Sequence, residues 1–141
     1  MAIRFDVKVE INDAKLKARV DRANEILAVQ VMKDTEKEFL PMLNHQLANG
    51  TRVIDGTIVY PGPYAHYLWE GEVYVDPMSG AAGFKLKDGS WASRRGVTKI
   101  PSGRSLVFTR ATARDHWTDH AKERYMNRWE QVYVGGLENG N

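Results

Sequence analysis

Two histidines four residues apart stand in the run His116-Trp117-Thr118-Asp119-His120, with Glu123 close behind. On a helix, that spacing turns both imidazoles to one side, where they can share a divalent metal. The zinc-protease pattern needs a glutamate directly after the first histidine, and Trp117 fills that place. No distal third ligand stands out. The run therefore reads as polar residues beside an apolar stripe, and no metal or other cofactor is expected. Other chemistries have less support. There is no cysteine, and no serine lies in a Gly-x-Ser-x-Gly elbow. Gly80, Gly83 and Gly89 lack the Gly-Lys-Ser/Thr that lets a phosphate-binding loop open a helix. Glu70 and Glu72 form a carboxylate pair only in the sense that two acids flank a turn, which is ordinary on a surface. The reading is non-enzymatic.

Charge is distributed more tellingly than its net value of +2. Residues 55–76 hold four acids (Asp55, Glu70, Glu72, Asp76) and no lysine or arginine. Residues 84–114 hold eight bases (Lys85, Lys87, Arg94, Arg95, Lys99, Arg104, Arg110, Arg114) against Asp88 alone. Three readings stay open for the basic segment: a solvated loop, a surface complementary to an acidic one on a neighbouring subunit, or a surface for nucleic acid. Arg94, Arg95, Lys99 and Arg104 with Trp91 supply charge and one stacking ring. No helix-turn-helix, zinc finger or RNA-binding signature accompanies them, so any contact with DNA is expected to ignore sequence.

These residues must be positioned by a small set of elements. Ile3, Phe5, Val7, Val9 and Ile11 alternate with charged residues, the pattern of a half-buried strand. Asn12 or Asp13 offers a cap for a helix whose stripe is Leu16, Val20, Ala23, Leu27 and Val31. That helix should fade near Phe39-Leu40, ahead of Pro41. Asp55-Gly56 between Val53-Ile54 and Thr57-Ile58-Val59-Tyr60 predicts a type I′ hairpin. Pro63 suits the first turn of a short helix that Gly71 ends. Residues 72–75 suit a strand, and 76–104 a long basic loop or extended hairpin. Ser105–Thr109 reads as a further strand, and Thr112-Ala113-Arg114-Asp115 as a capping box for the last helix. Trp117, Ala121, Tyr125, Trp129 and Val132 stripe that helix, and Gly135-Gly136 should end it. The expected fold is α+β: a mostly antiparallel sheet packed by two long helices, with a long basic loop. A chain of 141 residues suits a single domain, here 1–134, with 135–141 as a flexible tail.

Without cysteine there is no disulfide framework. No stretch approaches the roughly 20 apolar residues that span a bilayer. The strand-like N-terminus has no signal-peptide core, so the chain is expected in the cytoplasm of the cell that makes it.

The segment from Ile54 to Gly71 resembles a known family. A strand ending in Tyr60 is followed by Tyr64-Ala65-His66-Tyr67-Leu68, an aromatic residue (Trp69), Glu70 and Gly71. This is similar to the minor capsid proteins of long-tailed phages, relatives of the tail-completion or head–tail joining proteins. Val75-Asp76-Pro77, Leu106-Val107-Phe108-Thr109, His116-Trp117 and Ala121-Lys122 continue the likeness. One departure is Asn44-His45, where many relatives carry Thr-Gly after the long helix. The resemblance implies a structural virion protein at the head–tail junction, assembled in the bacterial host as a homo-oligomeric ring of about six copies. Such rings join one face of each subunit to a different face of the next. Other neck proteins and the tail terminator are the implied partners, with nonspecific contact to packaged DNA and none to a membrane. The expected contact residues are Tyr64, Tyr67, Trp69, Glu70, Glu72, Trp91, Arg94, Arg95, Lys99 and Arg104, with the acidic and basic segments as complementary faces. A decoration or minor capsid subunit elsewhere in the virion, and a free DNA-binding module, are the alternatives.

Overall fold

Apolar residues at helical spacing build two long helices, and these are the body of the molecule. The computed structural model describes residues 1–4, 14–42, 46–62 and 64–139. Helix α1 spans Ala14–Glu38 and α4 spans Trp117–Asn139. On α1, Val20, Ala23, Leu27 and Val31 are buried as their spacing predicts, but Leu16 is exposed, so the stripe begins a turn later. Trp117, Ala121 and Trp129 line the facing side of α4 and are almost fully buried.

Strand β1 (Ala2–Arg4) precedes α1, and between the helices come α2 (Gln46–Gly50), β2 (Arg52–Ile54), β3 (Thr57–Val59), α3 (Tyr64–Glu70), β4 (Glu72–Val75), β5 (Phe84–Lys85), β6 (Trp91–Ala92) and β7 (Ile100–Ser105). The fold is α+β, and the strand pairs are antiparallel but divided among three small sheets: β1-β3-β2, β4-β7 and β5-β6. The Asp55-Gly56 hairpin forms as predicted, with φ of 49° and 73° at the two central residues. Its tip is tied to α1, because the Gly56 amide donates to the Glu25 carboxylate at 2.6 Å. The continuation of the first strand through residues 5–11, the cap of α1 at Asn12 or Asp13, Asn44-His45 and Pro63 lie outside the described residues.

The core cluster joins Leu27, Ala28 and Val31 of α1, Leu40, Leu47, Ile58, Tyr60, Ala65, and Trp117, Ala121 and Trp129 of α4. Tyr60 meets Trp117 edge-on at 5.2 Å, and Trp69 does the same from α3 at 4.9 Å. Polar groups close the two helices from inside. Trp129 Nε1 donates to buried Asp34 at 2.9 Å, and Gln30 reaches the same carboxylate at 3.1 Å. One turn on, Glu38 accepts from Tyr125 at 2.8 Å and from Arg124. The helices run antiparallel, since Glu38 meets the start of α4 and Ala23 meets its end.

Three readings of the sequence are corrected. Helix α4 passes through Gly135-Gly136 and continues to Asn139. A Cβ at Gly136 would stand 3.2 Å from Ala23 Cα and 3.3 Å from its Cβ, so the missing side chain admits α1 rather than ending α4. Second, Thr112 does not cap α4, which starts at Trp117 after His116 turns with φ of 45°. Thr112 instead donates to the Glu38 carbonyl at the end of α1. Arg110 donates there too, to Glu36 O at 2.7 Å, Leu40 O at 3.2 Å and Lys37 O, and the Arg114 amide reaches Phe39 O at 3.1 Å. The segment before α4 is thus the cap of α1: it satisfies the orphan carbonyls and sets a cation on the negative end of the helix dipole. Third, the last strand is Ile100–Ser105, not 105–109; Val107 is 92% exposed and pairs with nothing in a ladder.

Candidate interaction surface

Residues 76–104 form an arm, the extended hairpin of the two readings rather than a loop. Its root is the β4–β7 ladder, which pairs Glu72 with Ser105, Tyr74 with Pro101 and Val75 with Ile100 across an irregularity in register. Two polar bonds reinforce it: Ser102 Oγ donates to Val73 O at 2.5 Å, and the Gly103 amide donates to Glu72 Oε1 at 2.6 Å. At its tip, β5 and β6 pair Phe84 with Ala92 and Lys85 with Trp91. No residue from 70 to 116 belongs to the core cluster or to the side chains packed on it, among the described residues.

The arm is held in shape by an ion pair. Arg94 grips Asp76 with two parallel bonds, Nε to Oδ2 at 2.6 Å and Nη2 to Oδ1 at 2.8 Å. Asp76 is buried, and it also accepts from the Met78 amide at 2.8 Å. The Arg94 bonds, with help from that amide, hold the Asp76 carboxyl well below the usual carboxylate range. The backbone folds around the same residue, with the Asp76 amide donating to Ala81 O at 2.9 Å and Gly80 N to Asp76 O at 2.8 Å. Lys99 donates to Ala82 O at 2.5 Å and lies 5.9 Å over the ring of Tyr67.

The ten expected contact residues therefore separate. Trp69 is half-buried against Trp117 and His116 and serves the body. Tyr67 packs at a tilt against Tyr74, ring centroids 4.8 Å apart, where α3 meets β4. Tyr64 opens α3. Glu72, Arg94 and Lys99 hold the arm together. Glu70, Trp91, Arg95 and Arg104 remain exposed, Trp91 at 71%. The two charged segments thus meet within one chain at Asp76 and Arg94, where the sequence suggested faces on separate subunits. Sequence reasoning missed Met78, Phe84 and Leu86, which are exposed at 82%, 49% and 44%. The alternation Phe84-Lys85-Leu86-Lys87 before Asp88-Gly89 is their signal: a second hairpin.

His116 and His120 do not share a face. His116 precedes the helix, with its ring 5.0 Å from Trp69, while His120 lies 6.1 Å from Phe39. Among the described residues, no cluster of three or more His, Asp or Glu side chains is placed to hold a metal, and no helix is long and apolar enough to cross a membrane. At the far end of the helix pair is an open groove of about 270 Å³, lined by Arg22, Ile26, Val132, Gly135, Gly136 and Asn139. Ile26 and nearby Val134 are exposed at 39% and 49%.

The minor capsid protein family matches this chain over residues 3–137, which takes in the body and the arm together. No curated protein and no solved structure matches it.

Proposed function

The chain belongs to the minor capsid protein family, structural proteins of bacteriophage particles, and on that premise we propose that it is a non-enzymatic component of the neck, completing the junction of head and tail as one subunit of a ring. The observation that supports a ring is the presence of two unlike contact surfaces on one chain. The helix pair ends in a groove lined by Ile26 and Val132 among others, and the arm carries Met78, Phe84 and Leu86 into solvent elsewhere. Unlike surfaces join subunits head to tail, and such contacts close into rings when the rotation allows. The working set at these contacts is Glu70 and Arg104, with Tyr67 against Tyr74 at the root of the arm.

The test is electron microscopy of particles made by a phage lacking the gene. DNA-filled heads beside complete, unattached tails are the expected result. Normal infectious particles would remove the neck assignment, and particles with intact necks but unstable shells would move the protein to the capsid surface.

A further inference from the structure

Among the described residues, the tip of the arm carries more cations than acids. Cross-strand partners share a face, so Lys85 and Trp91 point to one side of the β5–β6 ribbon, and Phe84 and Ala92 to the other. Lys85 and Lys87 on the ribbon and Arg95 just beyond it are exposed. Arg94 is cancelled by Asp76 and does not count toward this surface. The single acid within residues 84–104 is Asp88, which is turned onto its own loop: it accepts from the Ser90 amide at 2.9 Å and hydroxyl at 2.6 Å. Three outward cations and an exposed indole are left on or beside a narrow two-stranded ribbon, against the one carboxylate of Asp88.

We propose that this tip binds duplex nucleic acid through its phosphates, without sequence preference. A two-stranded ribbon is of a size that the major groove of a B-form duplex admits. Ammonium and guanidinium groups on such a ribbon meet the phosphates, and that contact is sequence-independent. Trp91 supplies an apolar ring against sugar or base. Lysine is depleted in protein–protein interfaces, so Lys85 and Lys87 on the same tip favour nucleic acid over a protein surface. The inference rests on the arm's own charge and stands apart from the neck reading.

The experiment uses the full chain and a short labelled duplex of mixed sequence. Binding should weaken roughly 40-fold between about 50 and 200 mM salt, as expected for about three neutralised phosphates. The double variant K87E/R95E, altered only at exposed residues, should melt at the temperature of the parent and bind more than about tenfold more weakly at the lower salt. Trp91 is far more exposed than Trp117 or Trp129, so duplex should quench mainly its emission, and Trp91→Phe should abolish that quenching while the fold persists. No binding at low salt, or equal binding by K87E/R95E, would overturn the proposal. So would displacement by polyglutamate as effective as by unlabelled duplex, which would assign the tip to an acidic protein surface.

Discussion

The helix-pair body and the arm are stabilised by different means. In the body, Trp117, Trp129, Tyr60 and Ile58 are nearly inaccessible, and the polar groups between α1 and α4 lie inside that packing. In the arm the large apolar side chains face water, and order comes from ladder bonds, turns and the Asp76–Arg94 pair. Packing energy scales with buried area and is indifferent to pH, while ion pairs and polar bonds answer to proton and salt concentration. The same chain therefore has a part that resists its surroundings and a part that registers them.

That contrast can be broken by substitution. Trp117→Ala should cost about 3–5 kcal/mol, the range for removing a buried aromatic ring, seen as a lower denaturation midpoint in urea. A loss under about 1 kcal/mol would mean that the body is not the stable unit. Gly71→Ala should cost about 2 kcal/mol or more, since left-handed backbone strain alone is about 1–2 kcal/mol. The residue has φ of 69°, and a Cβ there would lie 2.5 Å from Asp115 Cβ. Arg110→Ala should cost about 1–2 kcal/mol, because it strips hydrogen bonds to a charged donor from the end of α1. Arg94→Ala should leave the urea midpoint nearly unchanged while the amides of Asp76 and Gly80 lose protection from hydrogen exchange. A cooperative loss of the whole fold would instead make the arm part of the body.

The smallest effect is the sharpest test of the contrast. The carboxyl of Asp76 is depressed in the folded arm, so its pairing contributes fully above the ordinary carboxylate range. The contribution is lost as pH falls through the folded value. Exchange protection at Gly80 should therefore persist through mildly acidic pH and fall only in strong acid, and in Arg94→Ala this decline should vanish. Protection lost near neutrality would point to a different group.

How legible these two regions are in the sequence follows from what determines each. The stripe of Trp117, Ala121 and Trp129 is readable because burial repeats with the helix period. Asp55-Gly56 is readable because few residue pairs accept two positive φ angles. Gly136 and Thr112 mislead because their roles depend on α1, more than 70 positions earlier in the chain: one admits Ala23, the other caps Glu38. Ser105–Thr109 misleads because strand propensity favours Leu106-Val107-Phe108. The true ladder runs through Ser102 and Gly103, which are held by Val73 and Glu72. In the candidate surface, Trp91, Arg95 and Arg104 were legible from composition. The internal use of Arg94 was not, since no local pattern says which carboxylate a guanidinium will find.

The root of the arm has an evolutionary consequence. Glu72 faces Ser105, and the Leu106 amide donates to Gly71 O at 2.8 Å, so the chain leaves the body and returns to it at one spot. Whatever lies between is a detour whose two ends already touch. Closing a longer detour adds only about 0.6 kcal/mol per doubling of its length. Insertions, deletions or wholesale exchange of residues 77–99 are then changes of attachment, made without rewriting the scaffold. Relatives should differ most in reach and in the chemistry of the tip, and least in the tyrosines and glycine at the root.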